Sequence, residues 1–378
     1  VNNTPPVTLL PAAKRGLLLG VRGWAAVLAA LAVIALVVPV LNLLVPAGSA
    51  LHLGDYGVSL VAKIMCYAIC ALAMDLIWGY TGILSLGHGL YFALGGYAMG
   101  MYLMRQIGRD GNYRSELPDF MVFLDWKELP WTWAGSSSFV FQMILVIAAP
   151  ALLATVFGWF AFRSRIKGVY FSIITQALTF AGMLLFFRNE TGFGGNNGFT
   201  DFKRILGISV AAPSTRMVLF VLTGLTLVSF FLLARAIVNS KYGRVLQAIR
   251  DAETRVMFTG YDPLKYKLSI WVLSAVMCAI AGALYVPQVG IINPSEMSPS
   301  ASIEMAIWAA VGGRGTLIGP IIGAFFVNGA KSWFTQAFPE FWLYFLGALF
   351  IAVTLFLPQG IMGIKKRLMK EKDLEVKA

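Results

Sequence analysis

Five ionisable residues lie inside apolar stretches of the chain: Lys63, Asp75, His88, Glu304 and Lys331. A charge at the bilayer centre costs about 2.5–3.5 kcal/mol on insertion scales, so each needs a partner or a task. Lys63 is placed to snorkel or to pair internally. Asp75 precedes Trp78 by three residues and is placed near an interface, or to cap a break at Gly79. His88 sits between two glycines, where a hydrogen bond across a broken helix is its simplest use. Glu304 opens an apolar stretch, where a carboxylate offsets the helix N-terminal dipole. Ser85, Thr175 and Gln176 add neutral polar groups. Asp75, Ser85, His88, Thr175, Gln176 and Glu304 are therefore the candidate lining of a solute path, with capping and helix–helix contact as the competing roles.

Two glycine-rich segments stand in opposite halves of the chain. The first runs from Gly79 through Gly82, Gly87 and Gly89 to Gly95, Gly96 and Gly100; the second runs from Gly312, Gly313 and Gly315 through Gly319-Pro320 to Gly323. Paired, glycine-interrupted hydrophobic segments are the sequence pointer to a transport path near the midplane. A broken helix exposes N–H and C=O groups that lipid cannot satisfy, so the breaks must face protein or a water-filled cavity. The four-residue spacings Gly96–Gly100 and Gly315–Gly319–Gly323 also suit close helix packing.

The elements that must carry these residues are membrane helices. Hydrophobic residues make up 58% of the 378-residue chain and charged residues only 13%, with a mean hydropathy of +0.75. A soluble domain is about 45–50% apolar and about 25% charged, so this is an integral membrane protein. A span needs about 20 apolar residues. The candidates are Trp24–Val45, Tyr56–Trp78, Ile83–Met104, Ser138–Phe162, Gly168–Phe187, Met217–Val238, Leu268–Gly290, Phe341–Leu357, and a long stretch Ile303–Phe334 interrupted at Gly312–Gly315. The small residues Ala47–Ala50 hint at signal cleavage, but the preceding apolar run exceeds a signal core of about 7–15 residues, so a retained helix is expected.

Four clusters hold 18 of the 30 lysines and arginines: Lys14, Arg15 and Arg22; Arg163, Arg165 and Lys167; six residues from Lys241 to Lys267; and six from Lys365 to Lys377. The positive-inside rule assigns them, and both chain ends, to the cytoplasm. Two cytoplasmic ends require an even number of crossings. The expected fold is thus an all-α polytopic membrane protein of nine to ten transmembrane helices, ten if the glycines split Ile303–Phe334, with glycine-broken or re-entrant segments. Residues 1–364 form the transmembrane domain, with an external loop at 105–137 and a cytoplasmic loop at 239–267; residues 365–378 form a charged tail. The net charge of +12 reflects this asymmetry and carries little weight for nucleic acid. Cys66, Cys70 and Cys278 lie in apolar stretches, and His52 and His88 are the only histidines, which excludes a disulfide scaffold and a Cys/His zinc cluster. The sequence contains no GxxxxGK[ST] loop and no convincing nucleophile–base or metal constellation, so it carries no catalytic residues, metal site or cofactor of its own.

The cytoplasmic loop reads as an amphipathic helix. Val245, Ile249, Ala252 and Val256 form one apolar stripe, Arg244, Arg250, Asp251, Glu253 and Arg255 cover the other faces, and Gly260 with Pro263 ends it. Such a helix either lies on the membrane or docks on a soluble partner, and the mixed charge signs favour docking.

Taken in order, Gly79–Gly96, Gly168–Gln176, Gly192–Gly198, Ser240–Glu253, Ala281–Tyr285, Val311–Gly323 and Pro358–Gly363 resemble the permease subunits of branched-chain amino acid-type ABC transporters, of the LivM kind. The external segment Gly89–Gly108 with Glu116–Trp133 is similar to the urea-transporter branch, and Asp75 departs from the neutral amide common among amino-acid relatives. The resemblance implies a permease of the bacterial inner membrane. It implies a sister permease as heterodimer partner, two cytoplasmic subunits that bind ATP and Mg, and a periplasmic substrate-binding protein. It also makes Gly243, Arg244, Ala248, Ile249, Arg250, Asp251, Glu253 and Gly260 part of a coupling helix. The expected solute is urea, with branched-chain amino acids as the alternative and a stand-alone secondary transporter or channel as a third reading. Few intramembrane ionisable groups are available for ion coupling, which weighs against the third.

Overall fold

A computed structural model describes residues 18–363 except 47, 50, 167 and 357–359. The charged tail 365–378, Lys14, Arg15 and Lys167 lie outside the described residues, as do Ala47, Ala50, Pro358 and Gln359. The chain is mostly helical. Its main helices are α1 (Val21–Leu43), α2 (Asp55–Thr81), α3 (His88–Arg105), α4 (Phe139–Arg163), α5 (Val169–Phe187), α6 (Pro213–Asn239), α7 (Lys241–Phe258), α8 (Pro263–Val289), α9 (Pro299–Gly312), α10 (Ile318–Ala337) and α11 (Trp342–Phe356).

Local chemistry sets many of the boundaries. Ser138, Ser240 and Ser298 accept backbone N–H bonds as N-caps of α4, α7 and α9, and Asp262 does so for α8. Pro213, Pro263 and Pro299 open α6, α8 and α9, where a missing N–H costs nothing. Within α1, the donor lost at Pro39 follows a π-helical turn at Val33–Val37.

Six helices among the described residues (α1, α2, α4, α5, α6 and α8) are long and apolar enough to cross a membrane. The expected count of ten is not confirmed. Helices α9 and α11 have 14 and 15 residues, short of a full span, and α3 and α10 are rich in glycine and polar residues. The long stretch Ile303–Phe334 is two helices, as its glycines suggested, whereas Ile83–Met104 is not helical from its start: α3 begins only at His88.

Helix α2 is the central post. Its middle is built from small or unbranched residues such as Cys66, Ala68, Cys70, Ala71 and Ala73, all fully buried. Helix α8 packs most extensively on α3 and also lines α2 and α4. At the α3–α8 crossing a Cβ on Gly95 would overlap the Ala279 carbonyl and one on Gly282 the Phe92 carbonyl, so the backbones meet there. Gly96 and Gly100 face Ile292 and Phe199 instead. Those two residues belong to a short antiparallel pair, β1 (Phe199–Thr200) with β4 (Ile291–Ile292); β2 (Arg204–Ile205) pairs with β3 (Ile208–Ser209).

Contacts sort the helix ends into two rims. One rim joins Asn239 to Leu18 and carries α7. The other joins Asp55 to Arg216 and Asn42, and Tyr56 to Ser332 and Gln336. The segment from Arg105 to Ser138 belongs to this second rim and folds back on itself. Arg105 donates to the Glu116 carbonyl, and buried Trp133 donates through Nε1 to the Gly192 carbonyl at 2.9 Å.

Candidate functional site

The first break is the linker between α2 and α3. Gly82 closes α2 in the left-handed conformation (φ 75°), a backbone that side chains strain to adopt. The unwound residues then find partners on two neighbouring helices. Ser172 of α5 donates to the Leu84 carbonyl (2.8 Å), Thr175 accepts from the Leu86 N–H (3.1 Å), and Ser302 of α9 accepts from the Gly89 N–H (3.0 Å). Ser85 accepts from the Gly87 N–H within the linker. A Cβ on Gly87 would press on Thr175, and one on Gly89 on Ser302, so these glycines set the approach as well as the break. His88, fully buried, contacts Ser274 of α8 through Nε2 at 3.1 Å, with Trp271 edge-on at 5.4 Å. Because the Ser274 hydroxyl donates to the Trp271 carbonyl, its oxygen accepts from Nε2–H, which leaves Nδ1 as a bare acceptor.

The second break separates α9 from α10. Gly313 (φ 121°) ends α9, Gly315 (φ 77°) turns the chain, and Thr316 caps α10 by accepting from the Gly319 N–H. Asp75 belongs to this break rather than to the one it precedes in sequence. Its Oδ1 accepts from the Gly315 N–H (2.6 Å) and its Oδ2 from the Leu317 N–H (3.0 Å). Tyr80 donates to the Gly315 carbonyl at 3.0 Å. Gly79 lets the two segments meet, since a Cβ there would strike both Asp75 Oδ1 and the Gly315 backbone. Gly312 and Gly323 make the α9–α10 crossing, where added Cβ atoms would overlap the Gly319 and Trp308 carbonyls.

The six path candidates do not form one cluster. Ser85, His88 and Thr175 gather at the first break and Asp75 holds the second; all four are fully buried and bonded within the chain. Glu304 does not serve as a simple N-terminal cap: Lys331 of α10 donates to both of its oxygens at 2.9 and 3.0 Å. Gln176 is half-buried on α5. A separate groove of about 410 Å³, lined by Met99, Met143, Val146, Leu219, Ala283 and Pro287 among others, is almost wholly apolar and lies away from both breaks.

Helix α7 meets the breaks directly. Arg250, expected in the coupling helix, is exposed and also reaches the bundle: Nη1 donates to the Gly79 carbonyl at 2.8 Å while Nε donates to Asp251. Its aliphatic stem lies over Gly82. Glu253 faces inward and pairs with buried Lys267 of α8. The buried positions are Gly243, Leu246, Ile249 and Val256. Ile249 and Val256 of the expected stripe are thus buried, whereas Val245 and Ala252 are only half-buried, and the backbone at Ala252 is non-helical (φ −155°, ψ 69°). Gly243 fits under the Val238 carbonyl, and Gly260 (φ 87°) turns the chain toward α8. Arg244, Ala248 and Asp251 remain exposed. Sequence reasoning missed Phe258, which is 92% exposed beside exposed Met257 and Tyr261. An aromatic residue at the end of an amphipathic helix was the available signal.

Comparison with known proteins bears on this architecture. A family model described as branched-chain amino acid transport system / permease component matches residues 57–354. The high-affinity branched-chain amino acid permease protein LivM of Salmonella typhimurium is 24% identical over 344 residues, covering 85% of this chain and 73% of the relative. The probable LivM of Methanocaldococcus jannaschii is 24% identical over 337 residues, covering 82% and 95%. The ribose import permease protein RbsC of Bacillus subtilis is 24% identical over 167 residues, 42% of this chain and 49% of the relative. No solved structure matches. With most of its length matched, and with two glycine breaks tied to a surface helix inside an apolar bundle, this chain belongs to the family of branched-chain amino acid transport system permease components.

Proposed function

We propose that this chain is one permease subunit of an ATP-driven importer. It lines the solute path with a sister permease and is moved by two soluble ATP-binding subunits that engage α7 on the cytoplasmic rim. A periplasmic binding protein delivers solute to the opposite rim. The observation that carries this reading is the Arg250–Gly79 contact of 2.8 Å. It ties an exposed helix to the point where α2 ends and the first break begins, and Gly79 also touches the second break. A push on α7 therefore reaches both interruptions without crossing lipid.

The proposed solute is a branched-chain amino acid. That choice rests on the family and on the names of relatives matched over most of this chain. The urea expectation rests on the likeness of the external segment and the departure at Asp75, and the comparisons do not support it. The discriminating experiment is ATP-dependent uptake by the reconstituted four-subunit complex with its binding protein, comparing leucine and urea. Leucine uptake that requires ATP supports the proposal; urea uptake alone would reassign the solute. Conduction by this chain alone in liposomes, without nucleotide, would overturn the permease-subunit reading.

Phe258 is the expected anchor for the ATP-binding subunit, because an exposed aromatic side chain can fill a partner pocket. Phe258→Asp is expected to weaken capture of that subunit by about 2 kcal/mol, roughly 30-fold in affinity, while leaving the membrane bundle intact. Co-purification yield and titration of the soluble subunit onto the variant measure it. Unchanged affinity would remove Phe258 from the interface.

A further inference from the structure

A group of charged residues set in from the rim opposite α7 is used by neither break. Lys63 lies eight positions into α2 from Asp55, about 12 Å along the axis. Its ammonium stands over two aromatic rings, 5.7 Å from the Tyr67 centroid and 5.9 Å from that of Tyr285. Both are within the range of a cation–π contact. No ion pair within 4 Å neutralises Lys63 among the described residues. The Glu296 carboxylate lies close enough to feel the Lys63 charge. Tyr285 donates to Glu296 at 3.2 Å, and Glu304 holds Lys331.

The rings tie the group together. Tyr67 is 5.7 Å from Tyr285 and 4.9 Å from Trp308, which lies one turn beyond Glu304 on α9. The Trp308 indole is buried, and its N–H lacks an acceptor beside the same ring. Lys63 itself is only partly buried. The half-free ammonium, the donor without an acceptor and the aromatic walls match a carboxylate attached to an apolar group, and the Glu296 carboxylate, which takes a bond from Tyr285, matches an ammonium on the same molecule.

We propose that Lys63, framed by Tyr67 and Tyr285, binds the carboxylate of a zwitterionic solute at the junction of α2, α8 and α9, with Glu296 setting the field for its ammonium. The site deepens the branched-chain amino acid reading and rests on it. Lys63 supplies a charge-assisted bond, which is the strong kind.

The test is calorimetric titration of the assembled transporter, without ATP or binding protein, using leucine and leucinamide, which lacks the carboxylate. Wild type is expected to prefer leucine by about ten- to a hundredfold. Lys63→Met is expected to abolish that preference, and Lys63→Arg to restore most of it, with size-exclusion elution reporting that both variants assemble. A merely structural lysine would change both affinities together. Equal wild-type affinity for the two probes, no binding of either, or an unchanged preference in Lys63→Met would overturn the site. If ATP-driven leucine uptake persists in any of those cases, the importer reading stands without it. If wild-type uptake of leucine is absent, the branched-chain amino acid reading fails and takes the site with it.

Discussion

Asp75→Ala should be among the most damaging single changes in this chain. Its carboxylate accepts from the Gly315 and Leu317 N–H groups at 2.6 and 3.0 Å, and it is fully buried. Both donors precede the first full turn of α10, where a helix has no internal acceptors. Losing the carboxylate leaves two buried N–H groups unsatisfied, each costing about 1–3 kcal/mol, so a total of about 3–5 kcal/mol is expected. Asp75→Asn is the informative control. It keeps one acceptor oxygen but turns an NH2 donor toward the second N–H, so its loss should be intermediate. The melting midpoint of the detergent-solubilised complex measures both, and the order wild type, Asn, Ala is the expected result. Equal midpoints for all three would mean that Asp75 does not hold the second break.

Gly282→Leu should separate α3 from α8. Even a Cβ at Gly282 would overlap the Phe92 carbonyl, and the facing Gly95 meets Ala279 in the same way. Overpacking a buried site with one or two carbons costs about 1–3 kcal/mol, and here the obstacle is backbone, which cannot rotate away. Gly282→Ala should therefore cost about 3 kcal/mol and Gly282→Leu more, read as lost expression of folded protein and a lowered melting midpoint. Gly329→Ala is the counterpart on α10, where a Cβ would meet nothing within 4 Å. Helix propensity favours alanine there by about 0.5–1 kcal/mol, so that variant should be neutral or slightly more stable. Destabilisation by Gly329→Ala as large as by Gly282→Ala would refute the close-crossing account.

Both predictions depend on glycines and a carboxylate that were visible in the sequence but whose partners were not. The apolar composition, the amphipathic loop Lys241–Phe258 and the interruption at Gly312–Gly315 followed from residue type and period alone, because lipid and helix geometry constrain every chain alike. Asp75 could be recognised as a residue in need of a partner; that the partner is a turn 240 residues away depended on how α2 lies against α9 and α10. The same holds for the first break. Glycine content suggested an interruption near Gly82–Gly89, yet the unwound run ends at His88, with Ser172 and Thr175 satisfying its backbone and Ser302 the first turn of α3 from other helices. Arg250 shows the limit most directly: it is exposed, as a charge on an amphipathic helix should be, but only the fold brings Gly79 within its reach.

The sequence by itself determined the solvent: a chain this apolar, with its basic residues clustered between spans, must fold in a membrane. It also determined the weak points, since glycine and intramembrane charge can be counted without coordinates. Tertiary structure alone decided which backbone groups each polar side chain satisfies, and so which charges, like that of Asp75, are committed to architecture. The physical reason is that an N–H or a carboxylate in low dielectric takes whichever partner packing brings within about 3 Å, and packing joins residues hundreds of positions apart.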